Sequence, residues 1–177
     1  MRKNTVREIA LSGLFIAIGL LLPLVFHAFN MGSTFLPMHI PVLLGGFILS
    51  MPFAVAVGII TPILSSLLTG MPPMFPVLPY MVFELAAYGA ASNLLYRKMK
   101  LNIYISLVGS MIVGRIVAGI AVWVLATFFT ANLPGPVTFI ISSISKGIPG
   151  IIIQLVFIPA IVWILQKNNL IDRESRT

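Results

Sequence analysis

Long apolar runs recur along this chain, and Lys and Arg gather at its two ends and in one of the short breaks between them. A helix needs roughly 20 apolar residues to cross the hydrocarbon of a bilayer, so runs of this length read as membrane-spanning helices. Composition supports that reading: 59% of the 177 residues are hydrophobic and 8% are charged, too little polar surface to solvate a water-soluble domain of this size. The expected fold is an all-α integral membrane protein, a single domain over residues 1–177 built as a compact bundle of six transmembrane helices. Six spans with tight connections use up the chain and leave no room for a soluble catalytic domain.

The runs fall at residues 5–26, 36–51, 53–68, 77–96, 102–129 and 137–166. The first has Arg2, Lys3 and Arg7 ahead of its apolar stretch, Ile9 to Phe26, as a secretory signal would. It is long for a signal and lacks a small-x-small cleavage site behind it, so it reads as a retained helix. The second is bracketed by Pro37 and Pro52 and carries Pro41; it is too short to span upright without help from its neighbours. Pro62 interrupts the third, where Ser65 and Ser66, a turn later, are placed to satisfy freed backbone groups. Pro149-Gly150 marks an expected kink in the sixth, and the polar tail 167–177 is expected to fray.

Nine of the eleven Lys and Arg lie within the first seven residues, in the 97–100 break or in the C-terminal tail, and the other breaks hold none. An excess of Lys and Arg marks the cytoplasmic side, which places both termini in the cytoplasm. The net charge of +7 is therefore a topology signal and not a nucleic-acid footprint. The absence of cysteine excludes disulfides, thiolate metal sites and cysteine catalysis.

Residues 69–84 stand apart. Pro72, Pro73, Pro76 and Pro79 crowd this stretch; each lacks an amide donor and clashes one turn back, so the helix must break. The resulting stiff loop, Met71, Pro72, Pro73, Met74, Phe75 and Pro76, is a candidate lid, and it leads into Glu84, a carboxylate inside an apolar run. Tyr80, Glu84 and Tyr88 recur every fourth residue and share one helix face. Arg115 lies about 14 residues from the inner end of the fifth run and Lys146 roughly ten from the outer end of the sixth, so at 1.5 Å per residue all three charges reach the middle-to-outer half of the membrane. An unpaired charge at the bilayer centre costs on the order of 3 kcal/mol or more, so three at one depth suggest a shared polar cavity open to the outside. One carboxylate against two cations leaves a positive balance that an anionic ligand, such as a carboxylate, would complete. The candidate substrate-binding residues are Glu84, Arg115 and Lys146, with Tyr80, Tyr88 and His39 as supporting wall. The bland alternative is a structural Arg–Glu pair, with Lys146 reaching to the outer interface.

Small residues line two other faces. Ala10, Gly13 and Ala17 share one side of the first run, either for internal packing or for docking a separate protein. Ser106, Ser110, Gly114 and Ala118 do the same on the fifth. No nucleotide-binding, zinc-protease or serine-hydrolase motif is present, so catalytic residues, cofactors and metals are not expected. Three roles remain open: a ligand-binding membrane subunit, a stand-alone carrier using Glu84 as a proton relay, or an assembly subunit without a ligand.

Three blocks carry a resemblance: Pro37-Met-His-Ile-Pro-Val-Leu-Leu-Gly-Gly-Phe, Thr61-Pro-Ile-Leu-Ser-Ser-Leu-Leu-Thr-Gly-Met-Pro-Pro, and Phe83-Glu-Leu-Ala-Ala-Tyr-Gly. With the six-run layout, they make the chain resemble the substrate-binding S components of energy-coupling factor (ECF) vitamin transporters, nearest in kind to the pantothenate type, with cobalamin and pyridoxine relatives close by. The resemblance implies a six-helix fold in a prokaryotic cell membrane, with an outward vitamin pocket gated by the first and third breaks. It implies as partners a transmembrane coupling (T) component and two ATPase subunits, whose ATP hydrolysis, in an ABC-type importer, topples the S component to release cargo inside. The family's coupling face is an Ala-xxx-Ala pattern on the first helix. Gly13 and Ala17 match it, with Ala10 one turn before, and the glycine departs from the pattern.

Overall fold

The computed structural model of the chain describes residues 2–28, 32–129 and 133–168. Among the described residues seven α-helices follow one another: α1 (Arg2–Ala28), α2 (Gly32–Phe35), α3 (His39–Ile48), α4 (Met51–Thr69), α5 (Val77–Asn93), α6 (Ile103–Phe128) and α7 (Pro136–Lys167). A π-helical turn, Leu94–Lys98, extends α5, and no strand occurs among the described residues. The C-terminal tail expected to fray lies outside them beyond residue 168.

Four helices are long and apolar enough to cross a membrane, over Thr5–Phe26, Met51–Thr69, Ile103–Phe128 and Pro136–Lys167. The other two expected spans are shorter. α5 has 17 residues and approaches bilayer length only with its π turn. α3 has ten, about 15 Å of helix against about 30 Å of hydrocarbon. Its shortness has a packing reason. His39 and every residue from Pro41 to Phe47 are buried, because α1, α4, α5 and α7 surround it. A helix apolar on all sides belongs in a core, and Val42, Leu43 and Phe47 form that core with Phe15, Val57, Leu85, Leu107, Ile158 and Val162. The outer faces stay apolar: Leu21, Ile112, Trp123 and Ile152 are all more than half exposed, as lipid contact requires.

Glycines set the close approaches. A Cβ at Gly58 of α4 would run into the Leu85 carbonyl, and one at Gly89 of α5 would come within 2.5 Å of the Ala54 carbonyl oxygen. The two helices thus meet backbone to backbone, as small residues permit in membranes. α7 runs as helix through Pro149 and Pro159, and its Gly150 leaves the space that the Phe35 carbonyl of α2 occupies. On α6, Ser106, Ser110, Gly114 and Ala118 are buried. By contrast Ala10, Gly13 and Ala17 on α1 face outward, and nothing lies within 4 Å of a Cβ built at Gly13.

One end of the bundle gathers polar and basic groups. The Glu8 carboxylate accepts from the Ser50 N–H at 2.9 Å and from its hydroxyl at 2.8 Å, so α1 supplies an acceptor at the start of α4. Asn93 Nδ2 donates to the Leu49 carbonyl at 2.7 Å and Arg97 Nη1 to the Ile48 carbonyl at 3.0 Å, satisfying carbonyls that the end of α3 leaves without helical partners. Gln166 Nε2 donates to the Tyr96 hydroxyl at 2.5 Å. The opposite end carries the prolyl loop and the cavity described next.

Candidate functional site

The break before α5 follows from local chemistry. α4 ends at Gly70, which takes a left-handed backbone (φ 73°) and donates its N–H to the Ser66 carbonyl at 3.0 Å, a glycine stop of the usual kind. The loop that follows is poor in donors, so its carbonyls are held from outside. Ser65 Oγ donates to the Met71 carbonyl at 2.6 Å and Ser66 Oγ to the Pro72 carbonyl at 2.7 Å, while the Leu78 N–H reaches the Pro73 carbonyl at 3.0 Å. The two serines therefore bind the loop, and not α4's own backbone as their place after Pro62 suggested.

Once α5 begins, its one-turn spacing turns Tyr80, Glu84 and Tyr88 inward. Glu84 is 2% exposed. Its Oε1 accepts from the Tyr88 hydroxyl at 2.9 Å and lies 2.7 Å from Arg115 Nη1 on α6. His39 Nε2, at the start of α3, stands 3.7 Å from the same oxygen. Both ring nitrogens of His39 are buried without a hydrogen-bond partner, and its ring centre is 5.3 Å from that of Tyr88. Gly114 makes this cluster possible, because a Cβ there would overlap the Tyr88 ring.

Beside the cluster lies a cavity of about 290 Å³. His39, Tyr80, Glu84 and Arg115 line one side, and Ser143 and Lys146 of α7 also line it. Pro23, Leu36, Pro37, Met38, Val77, Met81 and Phe139 make the rest of the wall apolar, and Met71, Pro72 and Pro73 of the loop contribute as well. Tyr80 is fixed edge-on against Phe139, with ring centres 5.0 Å apart. Leu36 reaches the cavity from a left-handed backbone (φ 49°), a rare conformation for a branched residue, where the chain turns from α2 into α3.

Five of the six expected wall residues meet here: Glu84, Arg115, Lys146, Tyr80 and His39. Tyr88 does not line the cavity; at 2% exposed it stands behind Glu84 and holds its carboxylate. Met74, Phe75 and Pro76 do not line it either, and the first two are more than half exposed. Ser143 and Phe139 were legible in principle, since Phe139, Ser143 and Lys146 repeat at helical spacing and share a face of α7. The apolar contributions of α1 and of the turn before α3 leave no comparable pattern.

The charges are arranged unequally. Arg115 and Glu84 neutralise each other at contact distance, whereas Lys146 has no ion pair among the described residues. The cavity thus combines apolar walls, a fixed polar cluster and an exposed ammonium without an ion pair among the described residues, a combination suited chemically to a small amphipathic anion.

No curated protein and no solved structure matches this chain. A family model described as the ECF transporter, substrate-specific component, matches residues 7–162. That match runs from the first turns of α1 into the last turns of α7, takes in every residue lining the cavity, and shows that the chain belongs to the substrate-specific component family of ECF transporters, a family of membrane transporter subunits and not of enzymes.

Proposed function

We propose that this chain captures a small, carboxylate-bearing vitamin of pantothenate size from outside a prokaryotic cell. A T component and two ATPase subunits then drive its delivery inward. The observation that carries the reading is Lys146, exposed and without an ion pair among the described residues, on the wall of a largely apolar cavity beside a neutralised Glu84–Arg115 pair. A volume of about 290 Å³ lies at the lower end of small-molecule pockets. It suits pantothenate or pyridoxine and is far too small for cobalamin, and the positive balance favours pantothenate over neutral pyridoxine. The carrier alternative needs an available Glu84, but that carboxylate is engaged by Arg115 and Tyr88.

In this reading the bundle is one membrane domain crossing six times, with α3 and its flanking turns completing the second crossing. The basic end, with Arg97, Lys98, the start of α1 and the end of α7, faces the cytoplasm. The cavity faces outward, with Met71, Pro72 and Pro73 as the working part of the lid.

Lys146→Met tests the site. A hydrogen bond to a charged group contributes about 1.5–3 kcal/mol, so pantothenate affinity is expected to fall roughly 10- to 100-fold in calorimetric titration. The same substitution should leave pantothenol, the alcohol without the carboxylate, nearly unaffected. Unchanged pantothenate affinity would remove Lys146 from the site.

The outward face of Ala10, Gly13 and Ala17 is the proposed seat of the T component. Gly13→Leu fills open space, so it should leave folding and vitamin binding intact while reducing ATP-driven uptake at least severalfold in proteoliposomes carrying the complete transporter. Full uptake with that variant would place the coupling face elsewhere.

A further inference from the structure

Three serines sit close together on α7, and they behave differently. Ser142 Oγ donates to the Phe139 carbonyl at 3.0 Å and Ser145 Oγ to the Ile141 carbonyl at 2.9 Å. Such back-bonding is the usual fate of a hydroxyl in an apolar helix. Ser143, between them, makes no hydrogen bond among the described residues, and it is the one of the three that lines the cavity. Lys146 lines the same cavity three residues on, and side chains at that spacing share a helix face with Cβ atoms about 5–6 Å apart. A hydroxyl donor and an ammonium so placed can each take one oxygen of a single carboxylate.

The other polar wall is chemically different. Arg115 and Glu84 satisfy each other there, and His39, whose Nε2 lies 3.7 Å from Glu84 Oε1, has neither ring nitrogen in a hydrogen bond. An imidazole nitrogen can donate to or accept from a hydroxyl, which suits the hydroxyl-bearing end of a ligand. We propose that Ser143 and Lys146 together form the carboxylate-binding half of the cavity, so that the ligand lies with its carboxylate toward α7 and its hydroxyl-bearing end toward His39. This rests on the capture of a carboxylate vitamin proposed above. It adds Ser143 as a specificity-determining residue and gives the ligand a direction.

The test is calorimetric titration of the full chain in mild detergent with pantothenate and pantothenol, for the wild type, Ser143→Ala and Ser142→Ala. Ser143 is partly buried at the cavity edge and makes no hydrogen bond among the described residues, so its truncation should not disturb folding. Ser143→Ala is expected to weaken pantothenate about tenfold, by loss of one charge-assisted hydrogen bond, and to change pantothenol by less than twofold. Ser142→Ala should change neither. If Ser143→Ala weakens both ligands equally, or neither, while the wild type still binds pantothenate, the carboxylate subsite is overturned and the capture reading stands. A wild-type chain that does not bind pantothenate overturns both.

Discussion

Arg115→Met is expected to destabilise the bundle by about 3–5 kcal/mol, because it strips the partner from a carboxylate that the fold holds out of solvent. For a chain of this size that corresponds to a fall on the order of 10 °C in the thermal midpoint measured in mild detergent. The effect should exceed that of any other single charge removal. Glu84 is 2% exposed, and the remaining groups near Oε1, the Tyr88 hydroxyl and His39 Nε2, do not replace a guanidinium at 2.7 Å. Adding Glu84→Gln should restore part of the loss, since the double variant buries two neutral groups in place of one isolated charge. A midpoint unchanged by Arg115→Met would mean that water reaches Glu84 and that the pair contributes little.

Gly58→Leu is the second large effect, and Gly13→Leu is its control. At Gly58 a Cβ meets backbone, the Leu85 carbonyl on α5, so no rotamer change relieves the overlap and α4 must move away from α5. Overpacking typically costs about 1–3 kcal/mol when side chains can shift; here the neighbour is main chain, and the expected loss is at least about 3 kcal/mol, seen as a collapsed yield of folded protein. The same substitution at Gly13 meets open space and should stay within about 0.5 kcal/mol of wild type. Equal stabilities for the two variants would contradict the backbone contact between α4 and α5.

These residues also show what could be read from the chain alone. The long helices were legible because length and apolarity are local properties, and α1, α4, α6 and α7 cover the runs that announce them. The meeting of Glu84 with Arg115 was legible for an energetic reason: isolated charges in apolar runs must find each other, a cavity or a ligand. The tyrosine spacing placed Tyr80 and Tyr88 on Glu84's face, but periodicity carries no depth. It could not distinguish Tyr80 on the wall from Tyr88 behind the carboxylate.

What depends on distant partners was hidden. Glu8 accepts from Ser50 across 42 residues, and nothing near Glu8 in the chain announces it. Ser65 and Ser66 sit where a proline-interrupted helix calls for hydroxyl support, yet the proline-rich loop supplies competing carbonyls and takes them. The outward direction of Gly13 was undecidable because small residues serve internal and external contacts alike. Ser143 differs from Ser142 and Ser145 only in where its hydroxyl points.

We propose for this member of the ECF substrate-specific component family that a small carboxylate vitamin enters the cavity beside Glu84. It is tested most directly by titrating the purified wild-type chain, alone in mild detergent, with pantothenate. Saturable binding of one vitamin per chain, much tighter than for pantothenol, is the predicted result. A folded chain that shows no saturable pantothenate binding, or that binds pantothenol equally well, would mean that the cavity does not select a carboxylate vitamin.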